Sequence, residues 1–91
     1  MAVSVRIPVQ IGRVFGAQTW ETVEATDVAA LIAALDARFH GLGQRLTEPD
    51  GSPRRWINIF VSGEDIRALD GMATRLPPGA EVYIVPSVAG G

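Results

Sequence analysis

The chain opens with a regular alternation of apolar and polar residues. In VSVRIPVQI the apolar side chains recur at every second position, at Val3, Val5, Ile7 and Val9. A period of two is typical of a strand with one buried face, so this segment is predicted to be a strand. Pro8 lacks a backbone donor and therefore requires an edge, an end or a bulge. A second strand is predicted in TWETVEA, after a connection at residues 13–17, and the two strands should form a hairpin.

The pattern then changes to a helical period. Apolar residues follow one another at i, i+3, i+4, i+7 and i+11, at Val28, Leu31, Ile32, Leu35 and Phe39. This spacing predicts an amphipathic helix with one apolar stripe. Thr26 or Asp27 supplies a side-chain oxygen that can cap its start, and Gly41 suits a left-handed end.

The second half of the sequence predicts a long loop and two further strands. Residues 41–55 are polar and rich in Pro and Gly, with Leu42 and Leu46 as the apolar anchors, and they are expected to form a mobile loop. In RRWINIFVSG, alternate positions predict a strand with Ile57, Ile59 and Val61 on one face. A Pro-Pro-Gly turn of type II then leads into a final strand, AEVYIVP.

The order of hairpin, helix, strand and final strand predicts an α+β fold of the β-grasp, or ubiquitin-like, type. In this fold the first and last strands lie side by side in parallel. One main helix must cover one face of a mixed sheet, because its stripe has no second helix to meet. We expect residues 1–86 to form the ubiquitin-like β-grasp domain and residues 87–91 to form a flexible C-terminal Gly-Gly tail.

Composition narrows the classes of function. The 91 residues suffice for one domain, and no apolar run is long enough to span a bilayer. The N-terminus does not resemble a secretory signal, so a cytoplasmic location without membrane attachment is expected. The absence of cysteine excludes thiol chemistry and disulfides. All eight basic residues are arginine and the net charge is −2, which disfavours nucleic acid as a partner.

The side chains offer little for catalysis. His40 is the single histidine, and its predicted position in the last turn of the helix favours a capping or surface role. Glu64 and Asp65 lack a histidine or a third spaced carboxylate, so they predict solvated turn residues and no metal site. The glycines match no phosphate-loop spacing. We therefore expect no catalytic residue and no cofactor bound by this chain.

Two features favour binding instead. Trp56, Phe60 and Tyr83 are predicted on the face of the sheet that the helix leaves uncovered, where large apolar side chains indicate a partner-docking face. The alternative is that the loop at residues 41–55 folds over them.

The second feature is the sequence PSVAGG after the last strand. It is either a frayed terminus or a tail that enters another protein. Its five residues after Pro86 reach about 17 Å when extended, and Gly90 and Gly91 add no side chains that would block a narrow channel. If the domain is a plain ubiquitin-like interaction module, removing these two glycines leaves function unchanged.

The whole chain resembles the ThiS/MoaD family of ubiquitin-like sulfur-carrier proteins. The similarity is densest in INIFVSGEDIR, in GMATRL and in the ending VAGG. It implies that an adenylyltransferase/sulfurtransferase resembling the ubiquitin-activating enzymes uses ATP to adenylate the Gly91 carboxylate. A sulfur donor then converts it to a thiocarboxylate, while Val88, Ala89 and Gly90 are threaded into the partner.

Within the family, the EDIR, GMAT and VAGG segments most resemble the carrier of cysteine biosynthesis. That resemblance implies a pyridoxal-phosphate-dependent cysteine synthase as the client that accepts the sulfur, and a metalloprotease that releases the product. The chain would then be a protein co-substrate and no enzyme itself. The alternatives are the small subunit of molybdopterin synthase, which shares much of the pattern, and a sulfur donor for another thio-metabolite pathway.

Overall fold

A computed structural model describes residues 2–87, and the sheet it contains has five strands within that range. The strands are β1 (Ala2–Arg6), β2 (Trp20–Glu24), β3 (Ile57–Val61), β4 (Glu64–Asp65) and β5 (Glu81–Pro86). The helices are α1 (Val9–Phe15), α2 (Val28–Arg38) and α3 (Leu42–Leu46), with short 3-10 turns at Ile66–Ala68 and Gly71–Ala73. The strand order β2-β1-β5-β3-β4 confirms the predicted β-grasp architecture.

The first and last strands, β1 and β5, lie side by side in the middle of the sheet. β1 lies antiparallel to β2 and parallel to β5, where Val5 is opposite Val82. On its other side β5 lies antiparallel to β3, with Ile59 opposite Ile84. The predicted hairpin and the predicted parallel pair of first and last strands are therefore both present.

The core lies between this sheet and α2. Val5, Ile59 and Val82 reach it from the strands, and Leu31 and Leu35 reach it from the helix stripe that the sequence predicts. All five are at most 1% exposed. The start of α2 is also as predicted, since the Asp27 carboxylate accepts a hydrogen bond from the Ala30 amide at 2.7 Å.

The prediction that the first strand extends to Val9 is wrong. β1 ends at Arg6, and α1 begins at Val9 immediately after Pro8, which has an extended backbone and no N–H to offer a strand. Val9 is 48% exposed, whereas Ile11 is buried and Phe15, four residues later, packs on the core. The spacing of Ile11 and Phe15 is helical, although both residues lie in the segment that is predicted to be strand and connection.

The long loop also contains a helix that the sequence analysis did not predict. α3 forms because Leu42 and Leu46 lie four residues apart, and both are fully buried. Gly41 has a φ of 94° and begins α3, whereas α2 has already ended at Arg38. His40 therefore lies beyond the last turn of α2 and is exposed, which corrects its predicted position.

The contact between α2 and α3 corrects the expectation that the main helix meets no other. The Asp36 carboxylate of α2 accepts hydrogen bonds from the amides of Gly41 and Gly43, at 3.2 Å and 2.9 Å. A Cβ atom on Gly43 would lie 2.9 Å from the Cβ of Asp36, so the two helices approach too closely there for a side chain. α2 and α3 thus pack as one layer, and the face of the sheet opposite α2 is left for the candidate site.

Candidate functional site

The candidate docking face is the side of the sheet opposite α2. Residues alternate along β3 and β5, so that Phe60 and Tyr83 project away from the core and Ile59 and Ile84 project into it. Phe60 and Tyr83 lie directly opposite each other in the antiparallel pair. The structure therefore brings together two of the three aromatic residues that the sequence places on this face.

Trp20 is a third aromatic residue on this face and was not among the predicted docking residues. Its ring packs edge-on against Tyr83, with centroids 5.4 Å apart and an angle of 83° between the planes. The registers explain the contact, because Arg6 of β1 is opposite both Trp20 and Tyr83. Trp20 remains 41% exposed. We call Trp20, Phe60 and Tyr83 the aromatic patch.

Trp56 occupies a different position from the patch. It lies in the turn before β3, is half-buried and packs against the core. The guanidinium carbon of Arg45 in α3 lies 5.7 Å from the centre of its ring, within the range of a cation–π contact. The alternative was that residues 41–55 fold over the aromatic residues. Of the three, Trp56 is the one that a residue of this segment contacts in this way.

The patch lies next to the point where the tail begins. β5 ends at Pro86, and the Ser87 amide donates to the Trp56 carbonyl at 2.6 Å. A shallow groove beside the end of β5 is lined by Val9, Val85 and Pro86 together with Tyr83. Val9 and Val85 are 48% and 38% exposed, so apolar surface continues from the patch to the base of the tail.

The four residues predicted to carry the chemistry lie outside the described residues. They are Val88, Ala89, Gly90 and Gly91. The roles assigned to them, and the domain boundary between residues 86 and 87, therefore stay predictions.

Asp65, one of the two carboxylates of β4, is bonded to an arginine. Asp65 accepts hydrogen bonds from the Arg67 side chain, the shortest at 2.6 Å, and from the Arg67 amide at 2.8 Å. These bonds hold the pKa of the Asp65 carboxyl below its ordinary value. The pair therefore persists at neutral pH and is lost only as the pH falls through this lowered pKa. Within residues 2–87 no three His, Asp or Glu side chains are grouped so that they could bind a metal.

None of the helices between residues 2 and 87 combines the length and the apolar character needed to cross a bilayer. A family model described as the ThiS family matches residues 5–91. The chain belongs to the ThiS family. The match continues past β5 and includes the terminal Gly-Gly, which is the segment on which the predicted chemistry depends.

The similarity of this ThiS family chain to a known relative extends over its full length. The sulfur carrier protein CysO of Mycobacterium tuberculosis is 37% identical over 93 residues, which cover 100% of both chains. The crystal structure of Mycobacterium tuberculosis CysO aligns with a TM-score of 0.87 and 34% identity, over 94% of this chain and 99% of that one. The predicted similarity to the CysO type of carrier is therefore confirmed.

A second solved structure shows such a carrier in an assembly. A chain of the Amycolatopsis orientalis BexX/CysO complex aligns with a TM-score of 0.89 and 29% identity, covering 98% of this chain and 99% of that one. That CysO is thus seen bound to another protein.

Proposed function

We propose that this protein is a sulfur carrier whose Gly91 carboxylate is adenylated and converted to a thiocarboxylate, and that its sulfur is used for cysteine biosynthesis. The observation that carries the proposal is the match of the ThiS family to residues 5–91, together with full-length similarity to the sulfur carrier protein CysO. The β-grasp domain and the surface beside its last strand support it.

The chemistry needs an activated carboxyl group. In the proposed reaction a Gly91 oxygen attacks the α-phosphorus of ATP within an adenylyltransferase, and pyrophosphate leaves. A sulfur nucleophile then attacks the carbonyl carbon and AMP leaves, so that sulfur replaces one oxygen. Both steps take place at the main-chain end, which is why a chain without cysteine can carry sulfur. The reacting groups that assist these steps belong to the partner.

The folded domain supplies the binding energy that the tail lacks. Ordering five backbone residues costs about 5 to 10 kcal/mol, at about 1 to 2 kcal/mol each. A tail without large side chains recovers little of this by its own contacts. The aromatic patch and the exposed Val9 and Val85 lie beside the start of the tail and offer the apolar area needed to offset the cost.

The proposed client is a cysteine synthase that uses pyridoxal phosphate, followed by a metalloprotease that releases cysteine from Gly91. Neither the pyridoxal phosphate nor the ATP would be bound by this chain alone. In this scheme the protein is a co-substrate that is consumed and regenerated. Similarity to CysO over the whole chain supports cysteine biosynthesis as the pathway that uses the sulfur, in preference to molybdopterin synthesis or another thio-metabolite pathway.

Intact-protein mass spectrometry tests the proposal directly. Incubation with ATP, a cognate activating enzyme and a sulfide source should raise the mass by one exchange of oxygen for sulfur. Addition of the client enzyme and its amino-acid substrate should then give a cysteine adduct. The absence of any exchange with cognate activators would refute the carrier function, and stable co-purification with a molybdopterin synthase large subunit would refute the cysteine pathway.

A second measurement concerns the aromatic patch. Phe60→Ala should raise the Michaelis constant for the carrier in the adenylation assay at least tenfold, because truncating an aromatic side chain that anchors an interface costs about 1.4 kcal/mol or more. Met72→Ala is the matched control, since Met72 is also half-buried but packs on the α2 side of the sheet. Equal effects of the two substitutions would show that the patch is not the docking face.

A further inference from the structure

A chain of hydrogen bonds runs over the outer face of the sheet to the base of the tail. Arg67 Nη2 donates to Asp65 Oδ2 at 2.6 Å and to Asn58 Oδ1 at 3.1 Å. Asn58 Nδ2 donates in turn to Ser87 Oγ at 3.0 Å. Ser87 directly follows β5 and is the last residue that the structure describes. The path therefore connects the β4 turn with the start of the tail.

The side chains along this path have the donors and acceptors that its hydrogen bonds require. The amide of Asn58 has one acceptor and two donors on a single planar group, so it can accept from Arg67 and donate to Ser87 at the same time. The guanidinium of Arg67 is likewise planar and can bridge two acceptors. Asp65 fixes this guanidinium by accepting hydrogen bonds from both the side chain and the amide of Arg67. Each member thus limits the orientation of the next.

Ser87 is held by two different bonds. Its amide donates to the Trp56 carbonyl at 2.6 Å, which continues the ladder between β5 and β3 by one residue. This bond does not restrict rotation about the N–Cα and Cα–C bonds of Ser87. The bond from Asn58 to the Ser87 hydroxyl also fixes the direction of the side chain at the same Cα. Because Cα is tetrahedral, fixed directions for the amide nitrogen and the side chain together define the direction of the Cα–C bond by which the chain continues.

We propose that Asn58 and Arg67 are positioning residues that set the direction in which the tail leaves the domain. The inference deepens the proposed function and rests on it for its consequence, which is efficient entry of the tail into the activating partner. Fixing the exit direction before binding lowers the ordering cost that the complex must offset. The network contributes through Ser87 and requires no direct contact with the reacting carboxylate.

Solution NMR of the free protein tests the positioning without any partner. In weakly aligned medium, Asn58→Ala, Arg67→Ala and Ser87→Ala should each reduce the residual dipolar coupling of the Val88 amide, whereas Ser87→Thr, which keeps the hydroxyl, should preserve it. Arg38→Ala is the matched control, since it removes another exposed arginine that bonds to a carboxylate and a backbone carbonyl, at the opposite edge of the sheet. An unchanged coupling in Arg67→Ala would overturn the proposal.

The adenylation assay tests the consequence. Arg67→Ala and Ser87→Ala should each raise the Michaelis constant about three- to tenfold with kcat unchanged, the size expected for the net contribution of one hydrogen bond. The double variant should be no worse than either single one, because both break the same path. Additive effects would mean that Arg67 contacts the partner directly, and would overturn it. If wild-type protein forms no thiocarboxylate, the proposed function fails while the dipolar couplings still decide the positioning.

Discussion

Deletion of Gly91 is expected to reduce thiocarboxylate formation to background while the domain stays folded. The shortened chain still ends in a glycine carboxylate, but that carboxylate stands about 3.5 Å short of its normal reach. A nucleophilic attack needs the reacting atoms within about 3 to 3.5 Å, so a displacement of one residue removes productive geometry. Intact mass after incubation with ATP, activating enzyme and sulfide measures the result.

Ala89→Gly is the control for this deletion, because it changes the tail but keeps its length and adds no side chain. It should retain most of the sulfur exchange. The free energy of unfolding should stay within about 0.5 kcal/mol of wild type for both variants, since residues 2–87 keep their contacts. Unchanged activity after deletion of Gly90 and Gly91 would instead support a plain ubiquitin-like interaction module.

Leu35→Ala is expected to lower the free energy of unfolding by about 3 to 5 kcal/mol. Leu35 is fully buried between α2 and the sheet, and truncation there removes apolar contacts and leaves a cavity. A domain of 91 residues is commonly stable by about 5 to 14 kcal/mol, so this one substitution removes a large share. Urea titration followed by the fluorescence of Trp20 and Trp56 measures the change.

Leu69→Ala provides the same chemical change at a site that is 38% exposed. It should cost no more than about 1 kcal/mol, because less apolar surface is lost and water can fill the space. A similar loss in the two variants would contradict the assignment of the core to the layer between α2 and the sheet.

Periodicity in the sequence is informative where an element is long or its two faces differ clearly. The stripe from Val28 to Leu35 and the alternation from Ile57 to Val61 led to the right elements, and their order led to the right topology. α1 and α3 are only seven and five residues long, and each has just two apolar anchors four residues apart. So short a segment does not distinguish a helical turn from a strand or a loop.

The candidate site was predicted less completely, because it depends on register between distant segments. Phe60 and Tyr83 were assigned to the correct face by alternation alone. Trp20 joins them only because Arg6 is opposite both Trp20 and Tyr83, and a sequence pattern does not give that pairing. The contact between Asn58 and Ser87 depends on the same kind of information, since 29 positions separate the two residues.

The position of β5 ties the availability of the tail to the completion of the domain. β5 lies between β1 and β3, so the sheet cannot close until the last strand has been synthesised. A nascent or truncated chain without residues 81–91 has neither the strand that joins the two halves of the sheet nor the glycine that would be activated. A chain that stops before β5 would thus lack Tyr83 of the aromatic patch and the terminal glycine of the proposed reaction together.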